Sequence, residues 1–168
     1  MLTKYNLKMP HAVYGGENAM DNITAIIRAT GAKRVAMFTD KGIEACGLFS
    51  LPEEAVKASG ASYYVLDDLR PEPTYMAVQA LIDQFKQDGA DLIVAYGGGS
   101  VMDAAKLASV LVTDEYGVKE LLDNPGMAKK CVPIVLIPTT AGTGAVDFSA
   151  GSDYLWDFTV VDAIRGNH

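Results

Sequence analysis

The sequence predicts an α/β fold, a parallel sheet with helices on both faces, carried as one domain over residues 1–168. Three observations predict it. Short apolar runs at Arg34–Thr39, Ser62–Leu66, Leu92–Ala95 and Ile134–Ile137 have the length and the bounding turn residues of buried strands. Helix-period segments lie between these runs, so the chain reads β-α-β-α-β-α-β, the pattern that demands crossover helices over a parallel sheet. Two of the runs end in loops crowded with glycine and threonine, at the strand ends where such sheets bind ligands.

Taken in order, residues 2–14 read as an extended segment ending at Tyr14, with Pro10 interrupting any helix. Gly15-Gly16 turns the chain. Ala19, Ile23, Ile26 and Ile27 recur at helical spacing, Asn18 or Asp21 is placed to cap that helix, and Gly31 ends it. The run Arg34–Thr39 is the first core strand, followed by Asp40-Lys41-Gly42. Ile43–Ala58 is helical, with an expected break at Ser50-Leu51-Pro52, and Gly60 ends it. Ser62–Leu66 is the next strand. The link Arg70-Pro71-Glu72-Pro73-Thr74 is stiff and non-helical. Thr74 caps a helix to about Gln87, whose apolar face is Ala77, Val78, Leu81, Ile82 and Phe85, and Gly89 stops it. Thr113–Lys130 is polar and irregular, a surface excursion with a short helix at Leu121-Leu122. Phe148–Ser152 and Tyr154–Val161 are expected to form a C-terminal β-hairpin around Gly151-Ser152-Asp153.

The most informative stretch is Asp91–Lys106, DLIVAYGGGSVMDAAK. A buried strand runs into Gly97, Gly98 and Gly99, and an apolar helix follows. The first turn of a helix offers unpaired N–H donors and the positive end of the macrodipole, and glycines let a phosphate reach the backbone. The order is G-G-G-S-x-x-D. It is not G-x-G-x-x-G, because Met102 stands at the third glycine position, and no Gly-Lys-Ser/Thr follows as in a Walker A loop. The competing reading is a tight turn in which Ser100 and Asp103 form a capping box. After the fourth strand, Pro138-Thr139-Thr140-Ala141-Gly142-Thr143-Gly144 supplies hydroxyls and backbone donors suited to a sugar-phosphate, or forms a polar loop with no ligand. The two loops are expected to be two walls of one crevice.

Composition narrows the classes. The 168 residues carry 14 basic and 21 acidic side chains, a formal net charge of −7, and no basic block, which argues against nucleic acid and anionic membrane as partners. Cys46 and Cys131 stand beside apolar residues and are expected to be buried free thiols. The N-terminus has no apolar leader segment, and no run approaches ~18 apolar residues. The cytoplasm is the expected compartment.

The pair GGGSVMDAAK and IPTTAGTG, in this order, resembles the iron-containing (group III) alcohol dehydrogenases, from about Tyr14 to Gly144 and more weakly to Asp162. That family has an N-terminal Rossmann-like nucleotide-binding domain and a C-terminal helical domain that supplies most of the metal site. The chain resembles only the first, as a truncated chain would. The resemblance implies NAD as cofactor, with Gly97, Gly98, Gly99 and Ser100 at the pyrophosphate, Asp40 at the adenosine ribose, Asp103 stabilising the turn, and Thr139, Thr140 and Thr143 along the cofactor's other side. In the family an aspartate at the place of Asp40 favours NAD; the plain alternative is that Asp40 caps the next helix. Two departures stand out. Glu72 replaces a frequent asparagine, and Ala145-Val146-Asp147 lacks the family's glutamate. The family's metal is held by one aspartate and three histidines, whereas this chain has only His11 and His168.

The resemblance therefore implies an NAD(H)-binding domain of an enzyme that, in complete form, interconverts small alcohols and aldehydes or ketones by hydride transfer. The chain alone is expected to be inactive. A glycerol dehydrogenase-like nucleotide domain is a related alternative. A different class is a structural remnant that pairs with a full-length relative. The family's N-terminal strand often pairs across a dimer, which makes a homodimer through that strand an expectation here.

Overall fold

The structure is a computed structural model that describes residues 11–70, 73–112, 115–124, 127–128, 131–140 and the backbone of 157–161. Its elements are β1 (Ala12–Gly15), α1 (Asp21–Thr30), β2 (Arg34–Phe38), α2 (Lys41–Ala45), α3 (Ser50–Ser59), β3 (Ser62–Leu66), α4 (Tyr75–Asp88), β4 (Leu92–Gly97), α5 (Gly99–Val110), α6 (Val118–Asp123), β5 (Ile134–Pro138) and β6 (Asp157–Val161). The six strands form one sheet in the order β1-β6-β5-β4-β2-β3, and every adjacent pair is parallel.

The central strands are apolar throughout because both of their faces are covered. Ala36, Phe38, Ile93, Ala95, Ile134 and Leu136 point to one side, where they meet Val78, Leu81, Ile82 and Phe85 of α4 and the Val101–Ala108 face of α5. Val35, Met37, Leu92, Val94, Val135 and Ile137 point to the other, against Ile23, Ile26 and Ile27 of α1 and Val56 of α3. Each side chain buried this way contributes about 1.5–3 kcal/mol of transfer free energy before entropy is counted. The helices on the second side are also tied to each other: the Thr24 hydroxyl donates to the Ala55 carbonyl at 2.7 Å, and the Arg28 guanidinium to that of Ala58 at 2.8 Å.

Helix ends follow the sequence in most places. Gly31 and Gly60 close α1 and α3 in the left-handed conformation, at φ 70° and 84°, where a Cβ would be strained. Thr74 caps α4, accepting from the Ala77 N–H at 3.3 Å. The expected cap of α1 is different. Met20 occupies the N-cap with no side-chain cap bond, and Asn18 instead turns the chain at φ 64°. The break in the second helical stretch falls at Cys46–Phe49, ahead of Pro52, because Gly47 adopts φ 72° and leaves Pro52 free to sit in the first turn of α3.

Three other expectations are corrected. Phe158 and Thr159 pair in parallel with β1 on one side and β5 on the other, so no edge is left there for an antiparallel hairpin partner; its first strand, Phe148–Ser152, lies outside the described residues. The excursion after α5 is not merely surface: Tyr116, Val118, Leu121 and Ala128 are buried, and the Val118 N–H donates to the Gln79 amide oxygen of α4 at 3.0 Å. Both cysteines are free, but Cys46 is exposed at the end of α2 and Cys131 is half-buried. Among the described residues no helix is long and apolar enough to cross a membrane.

Thr39 joins three strands at their carboxyl ends. It is fully buried, its N–H donates to the Leu66 carbonyl of β3 at 3.1 Å, and its hydroxyl donates to the Tyr96 carbonyl of β4 at 2.9 Å. Thr39→Val keeps the shape and removes the hydroxyl bond. It should cost about 1–2 kcal/mol in urea unfolding, with the slope against denaturant unchanged.

Candidate functional site

Chain order reverses between β2 and β4. From β2 the chain steps outward to β3, and from β4 it steps the opposite way to β5. The two crossovers leave a gap above the strand carboxyl ends, the place where open α/β sheets bind ligands. A cavity of about 500 Å³ lies there. Its walls are Asp40–Gly42 after β2, Asp67–Arg70 after β3, and Gly98–Val101 after β4.

The floor of the cavity is the start of α5. Gly98 is the N-cap, in an extended conformation at φ −81° and ψ −172°. The Val101 and Met102 N–H groups turn back to its carbonyl at 3.1 Å each. The N–H groups of Gly99 and Ser100 come before any acceptor inside the helix, so they and the positive helix end face the cavity. The glycines do different work. A Cβ on Gly97 would lie 2.7 Å from the Val101 Cγ2, so this glycine is required by the packing of α5 on β4. A Cβ on Gly98 would meet only the Thr140 side chain, at 3.8 Å, an ordinary contact. Among the described residues nothing sets a steric demand at Gly98.

The β5 loop adjoins this floor. Gly97 pairs with Pro138 in the β4–β5 ladder, and the Thr139 N–H donates to the Gly97 carbonyl at 2.9 Å. Thr139 and Thr140 therefore stand beside the glycine turn, although neither is among the residues that line the cavity. Thr143 lies outside the described residues. Asp40 closes the opposite side. Its Oδ1 accepts from the Ile43 N–H at 3.0 Å, so it caps α2 and lines the cavity at once.

Asp103 sits elsewhere. It is exposed, lies 3.6 Å from the Lys106 ammonium, and lines a second cavity of about 220 Å³ with Pro73, Tyr75 and Val118. It makes no capping box with Ser100, because Gly98 is the N-cap and no side chain caps α5. Ser100 borders both cavities.

Asp67, Asp68 and Leu69 were not among the sequence candidates for the site. Their only signal is position, directly after the carboxyl end of β3. Lys41 lies 3.9 Å from Asp68, both well exposed. Glu44 of α2 lies near Asp67. Desolvation first, and the Asp67 charge second, push the Glu44 carboxyl above its usual range. Among the described residues no group of three or more His, Cys, Asp and Glu is placed to hold a metal ion.

The fold is that of a Rossmann-like α/β domain, with a cavity at the β2/β4 reversal. Comparison with known proteins narrows the class. The family model "Iron-containing alcohol dehydrogenase" matches residues 10–147. The long-chain-alcohol dehydrogenase 1 of Geobacillus thermodenitrificans is 34% identical over 140 residues, covering 81% of this chain and 35% of that protein. The lactaldehyde reductase of Escherichia coli is 32% identical over 132 residues, covering 77% and 35%. The crystal structure of sulfoacetaldehyde reductase from Bifidobacterium kashiwanohense in complex with NAD+ superposes with a TM-score of 0.75 at 25% identity, over 95% of this chain and 46% of that one. The chain belongs to the iron-containing alcohol dehydrogenase family. It spans about a third of the length of these two relatives, 35% in each case.

The different roles of the two glycines are separable by experiment. Gly97→Ala should lower stability by about 1–3 kcal/mol in thermal or urea unfolding, through overpacking against Val101. Gly98→Ala should leave the unfolding midpoint within ~0.5 kcal/mol of the parent.

Proposed function

We propose that residues 1–168 are one dinucleotide-binding domain and that the cavity at the β2/β4 reversal takes NAD(H). The observation that carries this reading is the cavity's composition. It joins the amino end of a twelve-residue helix, α5, to an acidic side chain on the adjoining strand end. A pyrophosphate matches the first, and a ribose hydroxyl the second. Gly98, Gly99 and Ser100 take the pyrophosphate, with Gly97 shaping the turn beneath it. The outer oxygen of Asp40 accepts from the adenosine ribose. Thr139, Thr140 and Thr143 line the side that leads to the nicotinamide, and Asp103 lies on the outer surface of α5, beyond Ser100.

In a complete enzyme of this family, the reading extends to hydride transfer between the nicotinamide and a small alcohol, aldehyde or ketone. The family's metal does not fit the residues present. The chain has two histidines, at opposite ends of its sequence, and the described residues bring no donor set together. No step is therefore derived through a metal. What this chain's residues do is bind and orient the cofactor, and turnover of an alcohol by this chain alone is not expected. The cytoplasm, where nicotinamide cofactors are abundant, is the proposed compartment.

A second reading concerns association. Among the described residues β1 ends the sheet, pairing with β6 on one side only, and Val13 is 55% exposed. An edge of this kind can extend its sheet across a two-fold axis. A homodimer through β1 should dissociate in sedimentation when Val13→Lys charges the edge, and a parent chain that sediments as a monomer would end this reading.

The test of cofactor binding is a fluorescence titration of the chain with NADH. Saturable binding is expected, and Gly98→Val should weaken it at least about tenfold by filling the approach to the helix end. A folded chain whose fluorescence ignores NADH would defeat the proposal.

A further inference from the structure

We propose that Asp67, at the carboxyl end of β3, is a second determinant of cofactor choice beside Asp40, acting by repelling a phosphate on the 2′ position of the adenosine ribose. The inference rests on the NAD(H) reading above and adds a residue and a ligand group to it.

The geometry begins with the register. Phe38 pairs with Leu66, and the Thr39 N–H donates to the Leu66 carbonyl at 3.1 Å. The chain therefore leaves β2 and β3 at the same level, with Asp67 next in line opposite Thr39, one residue ahead of Asp40. Both line the cavity that the α5 amino end floors. A pyrophosphate on that helix end fixes one end of the nucleotide, and the adenosine must then run toward β2 and β3. The 2′ position leads into the acidic wall.

Asp40 has one oxygen committed to the cap of α2, and Asp67 adds a second carboxylate to the same wall. Asp67 makes no helix cap. Glu44 lies near it on α2, where burial first and the Asp67 charge second raise the Glu44 carboxyl above its usual range, against the Lys41 charge, which lowers it, while Glu53 adds to the rise. Two cations share the lining, Lys41 and Arg70, and both are exposed. Lys41 lies 3.9 Å from Asp68, both well exposed, so the lining carries three carboxylates against two cations. A doubly charged 2′-phosphate thus meets Asp40 and Asp67 together, in a crevice where charges are screened less than on the open surface.

The test is a set of NADH and NADPH titrations of the 168-residue chain, for the parent, Asp67→Asn, Asp40→Ser and the double variant, each at low and high salt. Asp67→Asn keeps the side-chain shape, and Asp40→Ser keeps a helix cap. Asp67→Asn should raise the ratio of NADPH to NADH affinity roughly fivefold at low salt, and the double variant should raise it further. The gain should shrink in high salt. If Asp40→Ser shifts the ratio and Asp67→Asn does not, the role of Asp67 is overturned and the NAD(H) reading stands. A shift that ignores salt, or that weakens both nucleotides alike, reports a structural effect and overturns it as well. A folded parent that binds neither nucleotide removes both proposals.

Discussion

A parallel sheet covered on both faces has no room for polar chemistry along its strands. In β4 all six residues are buried, and any polar group among them must be matched by a partner or lose several kcal/mol of hydration. The chemistry is forced to the rim. Which part of the rim is then set by connectivity. Crossovers of one hand pack successive helices on one face, and the reversal between β2 and β4 sends them to opposite faces. α1 and α3 lie on one side, and α4 and α5 on the other. The gap between them is the cavity. Thr39 holds that gap to a fixed width, because its backbone and hydroxyl bind the ends of the strands on both sides of it.

Electrostatics at the rim are divided. The chain as a whole is acidic, at −7, and three carboxylates against two cations line the cavity. An anion entering such a place gains little from side chains. Its attraction must come from backbone dipoles, which carry no net charge and do not alter the overall balance. In the proposed reading the helix end selects where the anionic part of a ligand lies, and the carboxylates select what cannot lie beside it. Positive attraction and negative exclusion sit on different strands, so either can be altered without dismantling the other.

Much of this was legible in the sequence. Strands buried on both faces appear as unbroken apolar runs, and β2, β4 and β5 were readable for that reason. Gly31, Gly60 and Thr74 mark helix ends by local backbone chemistry, which needs no tertiary information. The glycine turn stood out in the sequence because no local rule calls for three glycines in succession, and the structure puts it at the amino end of α5 beside Thr139 and Thr140. The pairing of β6 was not readable. Alternation along Tyr154–Val161 fits a hairpin as well as a parallel strand, and only the sheet order decides between them. Asp67 was hidden for the same kind of reason. One acidic residue after a strand looks like any turn residue until β3 is known to lie beside β2. Cys46 misled because its apolar neighbours belong to a short helix with no buried residue.

The two central glycines show how a demand of the fold differs from a demand of a ligand. At Gly97 the protein itself supplies the reason: the Val101 side chain fills the space that a Cβ would need. At Gly98 it does not. The backbone there is extended, a conformation open to any residue, and the nearest atoms to an added Cβ are at contact distance. A glycine at such a position loses more backbone entropy on folding than alanine would, and among the described residues nothing offsets that loss. A ligand that comes closer to that backbone than a Cβ allows would supply the physical reason, and this is the demand that the proposed pyrophosphate makes on the amide groups that follow.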